Sequence, residues 1–325
     1  MPAHHLTTAP DPPHAATGIG AAVRAVLSGD DTAAVAAAHT ISPADLDDAV
    51  AIYHAAGIAA LDQAVDGNWF QALIEFTDWK SAETIGAHLL GPRLDSLATD
   101  GRISGWWFLR KYPCWRLRLH NADPADVTQT LDDLAEEGTI ARWQRTLYEP
   151  ETAAFGGRTA MDVIHDLFCR DSTGILDYAR HPAPAIGRKE LSLLLLNGMF
   201  QAAHLDQFER GEVFIRTARL RPPPPDDADL TPLANGIRHF LSVPDLSVSP
   251  LFSAQGPAAH ATAWLTAHTD AGTRLASAAR AGHLERGLRA LLTHVVIFHW
   301  NRIGLSADQQ GILAHAAAAA LLPPD

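Results

Sequence analysis

The chain has 325 residues, 47% of them hydrophobic and only 19% charged, with a formal net charge of −12. That length allows one large or two ordinary domains with a real core, and the composition excludes disorder along the whole chain. The acidic balance, with no lysine- or arginine-rich run, argues against nucleic-acid binding, which needs a basic stripe.

In chain order, residues 1–17 hold four prolines and three histidines and read as a disordered tail. Residues 18–65 are alanine-rich and read as a helical lead-in. Within it Ser42-Pro43-Ala44-Asp45 has the signature of a helix start, with serine capping, proline in the first turn and aspartate on the positive dipole end. Asp66-Gly67-Asn68 signals a turn, after which residues 66–322 are expected to form the main domain. WFQALIEF (69–76) reads as a strand and 82–98 as a helix. WWFLRKY (106–112) and CWRLRLH (114–120) read as two strands split by Pro113; 125–138 reads as an amphipathic helix and 141–151 as another strand.

From Phe155-Gly156-Gly157 onward helical period dominates, with helices expected near 158–168, 172–179, 188–204, 208–219, 228–242, 257–281, 283–302 and 306–321. Asp171-Ser172 reads as a cap between the first two of these. The run RPPPPDD (221–227) is a polyproline-type link, suited to a boundary or exposed loop. The expected fold is therefore α+β: a mostly antiparallel sheet in the first half, packed with a largely helical second half and preceded by the helical lead-in.

The two cysteines, Cys114 and Cys169, are too few for a disulfide framework or a zinc knuckle. The first residues lack the apolar core of a signal peptide, and the apolar runs Leu191–Leu196 and Ala316–Leu322 fall short of the ~20 residues a membrane span needs. A cytoplasmic protein with no membrane contact is expected. Nucleotide-binding glycine loops, HExxH, GxSxG and CxxC are all missing.

Three clusters remain. Arg110, Arg116 and Arg118 lie on adjoining strands beside Trp107 and Trp115, a cationic patch that should meet something anionic or carbonyl-rich unless nearby carboxylates pair with it. Tyr148, Glu149 and Glu151 precede Phe155 and the Gly-Gly turn, placing carboxylates on a pocket rim or in an ordinary solvated loop. In His294…His299-Trp300-Asn301-Arg302 the two histidines are five apart, which disfavours a shared metal; His299 and Arg302, three apart, share a helix face. No metal site is expected.

The order WWFLRK-x-P-x-WRLR, YEPE-xxx-FGG, LF-xx-DS, RKE-LSLLLLNGMFQAAHLDQFERG and H-W-NR resembles the C-terminal, elimination-domain family of lantibiotic dehydratases, from about Asn68 to Leu322. The resemblance implies work on leader-bearing, ribosomally made precursor peptides, without metal or organic cofactor, alongside other modification enzymes of one pathway. Elimination members remove glutamate from glutamylated serine or threonine. They are expected to carry strand arginines, another arginine just before the YGG-like turn, and a histidine four residues before the terminal Asn-Arg. Here the strand arginines are present as Arg116 and Arg118, but the other two positions are Ala154 and Ile297.

A free-standing sister branch resembles this chain in size and in its strand wording: the thiopeptide pyridine synthases. These join two dehydroalanines by a formal [4+2] cycloaddition, with loss of water and leader. On that reading Tyr148, Glu149, Glu151 and His299 are candidates for the proton transfers. Trp107, Trp115, Phe155 and Trp300 would grip the core peptide, and Arg110, Arg116, Arg118, Asn301 and Arg302 would orient its carbonyls. The alternatives are a free-standing glutamate-eliminating lyase and a non-catalytic, precursor-binding scaffold.

Overall fold

The computed structural model describes residues 18–66, 68–246 and 248–322, so the expected tail at 1–17 lies outside the described residues. The chain divides into two compact units, Met1–Gly67 and Asn68–Asp325. The first contains α1 (Gly18–Leu27), α2 (Thr32–His39) and α3 (Pro43–Asp66). Asp31 caps α2 by accepting a hydrogen bond from the Ala34 N–H, and Thr40 ends it in the left-handed conformation. Pro43 opens α3, where its missing N–H costs nothing. The unit's core is small: Ala22, Val23, Val35, Ala36 and Leu46.

The second unit is built on a four-stranded antiparallel sheet of β1 (Trp69–Glu75), β2 (Gly105–Lys111), β3 (Cys114–His120) and β4 (Arg142–Thr146), in the order β2-β3-β1-β4. Between β1 and β2 run α4 (Ala82–Ile85), a π turn (Gly86–Leu90) and α5 (Gly91–Thr99); α6 (Pro124–Glu136) connects β3 to β4. The two-residue Tyr112-Pro113 link pairs Lys111 with Cys114, which fixes the register of the hairpin.

Because side chains alternate across a sheet, that register sorts the strand residues. One face carries Gln71, Trp107, Arg116, Arg118 and His120, and the other carries Ile74, Phe108, Arg110, Trp115 and Leu117. The first face packs on α7 (Arg158–Arg180), where Trp107 meets Phe168 and Trp69 meets His165. The second packs on the other helices: Trp143 Nε1 donates to Asp132 of α6 (2.8 Å), and the Trp115 ring fills the space beside Gly86, where a Cβ would come within 2.4 Å of it.

The rest of the chain is helical: α8 (Arg188–Ala202), α9 (Gln207–Arg219), α10 (Thr231–Leu241), α11 (Thr262–Arg280), α12 (Leu288–Arg302) and α13 (Ala307–Leu321). Helix α8 is buried over ten consecutive residues, Leu191 to Phe200. It crosses α11 at Gly272, where a Cβ would lie 2.2 Å from the Met199 carbonyl oxygen. The 221–227 stretch forms a mostly exposed loop within this unit, pinned by an Arg221 Nε hydrogen bond to Gln310 Oε1 (2.6 Å).

Three local expectations need correction. The helices expected at 158–168 and 172–179 are one, α7, and Asp171-Ser172 lies in its middle rather than capping. Tertiary partners take both side chains, which removes the competition with the helix that a solvent-facing aspartate or serine would offer. The strand expected at 141–151 ends at Thr146, four residues before Pro150, which has no N–H for a ladder. The start of the helix expected at 257–281 is a 3₁₀ turn, Ala259–Ala261.

Candidate active site

The first sheet face carries a cluster around Arg118. Its guanidinium lies 4.0 Å from the Trp107 ring centroid and 4.5 Å from that of Tyr148. Its Nε donates to Gln71 Oε1 (2.7 Å), and Gln71 Nε2 in turn donates to Thr146 Oγ1 and the Leu147 carbonyl, both at 2.8 Å. Arg118 Nη1 has no acceptor among the described residues, and Glu151 Oε2 is likewise buried without a hydrogen-bond partner. Burial lowers the Arg118 pKa to about 10, so the group stays cationic at neutral pH.

The Tyr148 hydroxyl and His165 Nε2 of α7 are 2.8 Å apart. Burial, then the neighbouring His120 and Arg118, push the His165 pKa down to about 4. The imidazole is therefore neutral at pH 7, and in the tautomer protonated on Nδ1 its Nε2 accepts a hydrogen bond from the phenol. His165, Trp69 and His120 are half-buried and pack in turn, His165 tilted against Trp69 at 4.5 Å and Trp69 stacked on His120 at 4.6 Å. They form the accessible side of the cluster.

Beneath it lies a second network with no solvent access. Asp171 Oδ2 accepts from Arg302 Nε (2.8 Å) and Nη2 (2.6 Å), and Asp171 Oδ1 accepts from Trp264 Nε1 (2.7 Å). His299 Nδ1 sits 2.9 Å from Asp171 Oδ1 and His299 Nε2 sits 2.9 Å from Ser192 Oγ. A carboxylate only accepts, so Nδ1 carries a proton; Ser192 Oγ faces Nε2 and accepts from Trp300 Nε1 (2.9 Å). Within the network Arg302 Nη1 alone among the guanidinium nitrogens has no acceptor among the described residues. Asp171, Ser192, His299 and Arg302 come from α7, α8 and α12, and Trp264 from α11; the next residue, Ser172, accepts from the Phe108 N–H of β2 (3.2 Å). The network bolts four helices together and to the sheet.

The order Asp171–His299–Ser192 is formally that of a nucleophile relay. Ser192 is fully enclosed, though, and the indole of Trp300 occupies its oxygen, so the relay holds helices and has no substrate to attack. Asp171, His268 and His299 also bring metal-type donor atoms within 4.8 Å of one another. Both carboxylate oxygens are already taken, and the Arg302 guanidinium supplies the positive charge, so a second cation would meet repulsion. His299, Arg302 and nearby charges hold the Asp171 carboxyl far below the usual range despite its burial. Burial outweighs the pull of Asp171, 3.7 Å away, and keeps the His268 pKa down at about 4.

The expected site residues thus separate. Arg118 and Tyr148 come together, with Arg116 half-buried on the same sheet face and Glu151 among the charges acting on Arg118. Glu149 is exposed. Trp107, Trp115, Phe155, Trp300, His299 and Arg302 are enclosed in the core, where they present no surface to a peptide. Arg110 does not share a patch with Arg116 and Arg118: the hairpin register turns it to the opposite face, stacked over Trp115 at 5.1 Å and paired with Glu83 (Nη1 to Oε2, 2.6 Å). Asn301 accepts from Gln310 Nε2 (2.8 Å). Gly156 and Gly157 both adopt positive φ, which the turn after Phe155 requires.

Sequence reasoning missed Gln71, His165, Asp171, Ser192, Trp264 and His268. The available signal was the spacing of His165, Phe168 and Ser172, which share one stripe once 158–180 is taken as a single helix. Of the two positions where the elimination pattern is lost, Ile297 is buried on α12. The Ala154 carbonyl is approached by Arg286 Nη1 at 3.4 Å.

No curated protein matches the sequence. Solved structures do. The tRNA-dependent lantibiotic dehydratase MibB from Microbispora sp. 107891 superposes with a TM-score of 0.55 at 15% identity, over 78% of this chain but only 28% of MibB. TsrL superposes with a TM-score of 0.53 at 16% identity over 79% of this chain and 100% of TsrL. TbtD, the pyridine synthase from thiomuracin biosynthesis, gives 0.51 at 15% identity over 78% of this chain and 97% of TbtD. At these identities the likeness shows the fold. The profile described as lantibiotic biosynthesis dehydratase C-term matches residues 69–321, nearly the whole second unit, and the chain therefore belongs to that family.

Proposed function

We propose that this protein is a pyridine-forming cyclase acting on a leader-bearing, dehydrated precursor peptide. It joins two dehydroalanines by a formal [4+2] cycloaddition and then loses water and the leader as an amide. The observation that carries this reading is the Tyr148–His165 pair beside Arg118. One backbone amide must pass to its imidic form before it can serve as the azadiene. That step needs a proton placed on the carbonyl oxygen and one taken from the amide nitrogen.

A phenol and a neutral imidazole 2.8 Å apart are a donor and an acceptor of suitable span. Tyr148 gives its proton to the carbonyl oxygen while His165 Nε2 takes the amide proton, and passage of that proton from His165 to the Tyr148 phenolate across their 2.8 Å contact restores both groups. Arg118, itself buried, holds the Tyr148 ring from behind by stacking on it at 4.5 Å. Bringing two distant dehydroalanines together is chiefly a matter of proximity, for which effective molarity supplies ~7–11 kcal/mol. Ala154 and Ile297 fit this chemistry, which expels no glutamate.

One observation favours glutamate elimination instead: Arg286 places a guanidinium at the turn where Ala154 lacks one. The two readings separate on intact masses. A precursor with preformed dehydroalanines should lose leader amide and water and gain pyridine absorbance, whereas a glutamylated precursor should be unchanged. Release of glutamate from the latter, with no cyclised product from the former, overturns the cyclase reading. Binding of the leader with neither mass change makes the protein a scaffold.

A further inference from the structure

A groove of ≈ 420 Å³ lies between α9, α13 and the proline loop that follows α9. Its floor is apolar, formed by Ile215, Ala218 and Ala318, and its rim carries Arg219, Arg221 and His315. Pro223 supplies a wall. The loop is fixed on α13: Arg221 Nε donates to Gln310 Oε1 (2.6 Å), and any side chain at Gly311 would collide with the Pro222 carbonyl. Pro222, Pro223 and Pro224 each precede another proline, so the rings confine this backbone to an extended course. The groove is therefore formed before anything binds, and filling it costs little ordering.

Charge in the groove is one-sided, for no acidic residue lines it among the described residues. Arg221 is half-buried and meets only neutral acceptors, Gln310 Oε1 and, through Nη1, the Leu220 carbonyl (2.7 Å). Burial lowers its pKa, and no carboxylate, those of Asp226 and Asp227 further along the loop included, stands close enough to raise it again. Its Nη2 has no partner among the described residues and, unlike Nη1 of Arg302, is not sealed from solvent. Arg219 is exposed and makes no ion pair among the described residues. His315 donates from Nδ1 to the Gly311 carbonyl (2.9 Å), which leaves Nε2 open. Two unpaired guanidinium groups side by side stand out in a protein whose net charge is −12, and an anion is the partner that satisfies them best. Beside them the Pro223 carbonyl accepts no hydrogen bond among the described residues.

We propose that this groove holds the C-terminal end of a peptide whose last residue is aliphatic. The terminal carboxylate lies between Arg219 and the open Nη2 of Arg221, the last side chain rests on Ile215, Ala218 and Ala318, and the last backbone N–H donates to the Pro223 carbonyl. A free acyl chain would satisfy the cations and the floor but has no N–H for the proline wall, and a phosphate would leave the floor bare. Binding is independent of whatever reaction the Arg118 cluster performs and is measured without turnover.

The test is calorimetric titration of the full-length protein with N-acetylated Ala-Ala-Val-Leu bearing a free carboxylate, its C-terminal amide, the Ala-Ala-Val-Ala acid and octanoate. The leucyl acid should bind, the amide at least about tenfold more weakly for want of the charged partner. The alanyl acid should bind about fivefold more weakly, because less apolar surface leaves water. Arg219→Gln should weaken the leucyl acid about threefold, in keeping with an exposed charge. Arg221→Lys, which keeps the charge and loses the fork, should weaken it at least about tenfold. Arg93→Gln, at an exposed position on α5, should leave it unchanged. Equal binding of acid and amide, or no binding of the leucyl acid, overturns the proposal, and octanoate binding more tightly than the peptide gives the groove to a free acyl chain instead. So does an affinity untouched by Arg219→Gln, a variant at an exposed position that tests the idea even if Arg221→Lys displaces the loop.

Discussion

Replacing Asp171 by asparagine changes one oxygen to an NH₂ group in the middle of α7 and keeps the volume. In the native protein this carboxylate receives two hydrogen bonds from Arg302, one from Trp264 and one from His299, all within 2.9 Å and all out of reach of solvent. The asparagine oxygen can still serve Trp264, but its NH₂ then faces the donors of Arg302. The guanidinium remains fully buried with no anion. Breaking a buried ion pair from one side costs ~3–5 kcal/mol, a large share of the ~5–15 kcal/mol by which domains are stable. Urea unfolding at pH 7 should therefore show a midpoint shift of that size for Asp171→Asn.

Adding Arg302→Met removes the stranded charge, so the double variant should be more stable than the sum of the single losses predicts, a coupling that a double-mutant cycle measures. The pH dependence has a definite sign. A depressed carboxyl pKa contributes stability that is fully present above the unfolded value of about 3.9 and lost as pH falls towards the folded one. The gap between native protein and variant should thus stay constant from pH 7 to 5 and narrow only below about pH 4. A loss under about 1 kcal/mol, or strictly additive single variants, would refute the view of this network as the bolt of the bundle.

The neutral, buried His268 gives a second pH signature. Its folded pKa of about 4 lies below the usual 6.5, so the unfolded chain binds the extra proton and stability falls as pH drops from 6.5 towards 4, by roughly 3 kcal/mol at the limit. His268→Gln should flatten that slope in urea titrations, and an unchanged slope would place the effect elsewhere. Gly272→Ala drives a methyl into the Met199 carbonyl and should destabilise by at least about 2 kcal/mol, read as a lower Tm; a neutral result would show that α8 and α11 can part without cost. Tyr148→Phe removes the hydroxyl from His165 and should slow cyclisation about 100-fold or more, with leader affinity unchanged. Near-normal turnover would remove the pair from the chemistry.

The sheet and most helix positions were legible because their signals are local. The alternation in CWRLRLH gives a strand, and the 3.6-residue period after Gly157 gives helices. Asp171-Ser172 was misleading for the same reason. Locally it is a good cap, and only Arg302, 131 residues further on, makes its burial favourable. Arg110 illustrates a different loss. With a two-residue turn at Tyr112-Pro113, Lys111 opposes Cys114, so Arg110 must oppose Trp115 and Trp107 must oppose Arg118. The parity that separates Arg110 from the other two arginines was in the sequence, but it appears only when the strands are read as a pair. His165 could be placed on a stripe with Phe168 and Ser172 but not paired, since its partner Tyr148 lies in a loop whose path the sequence does not dictate.

The two layers of the candidate site bear on each other through Trp107. Its ring lies 4.0 Å from the Arg118 guanidinium and 5.9 Å from that of Arg302, which also lies 4.0 Å from Phe168. Arg302 is fixed by Asp171, so the enclosed network sets the floor on which Arg118 rests, and Phe168 and His165 ride on the same helix. A proximity catalyst needs this kind of rigidity, because displacing a positioning group by about 1 Å costs ~100-fold in rate. His299, expected to move protons, and Trp300 and Arg302, expected to hold the peptide, are instead enclosed, where they form the wall against which Arg118, Tyr148 and His165 are placed.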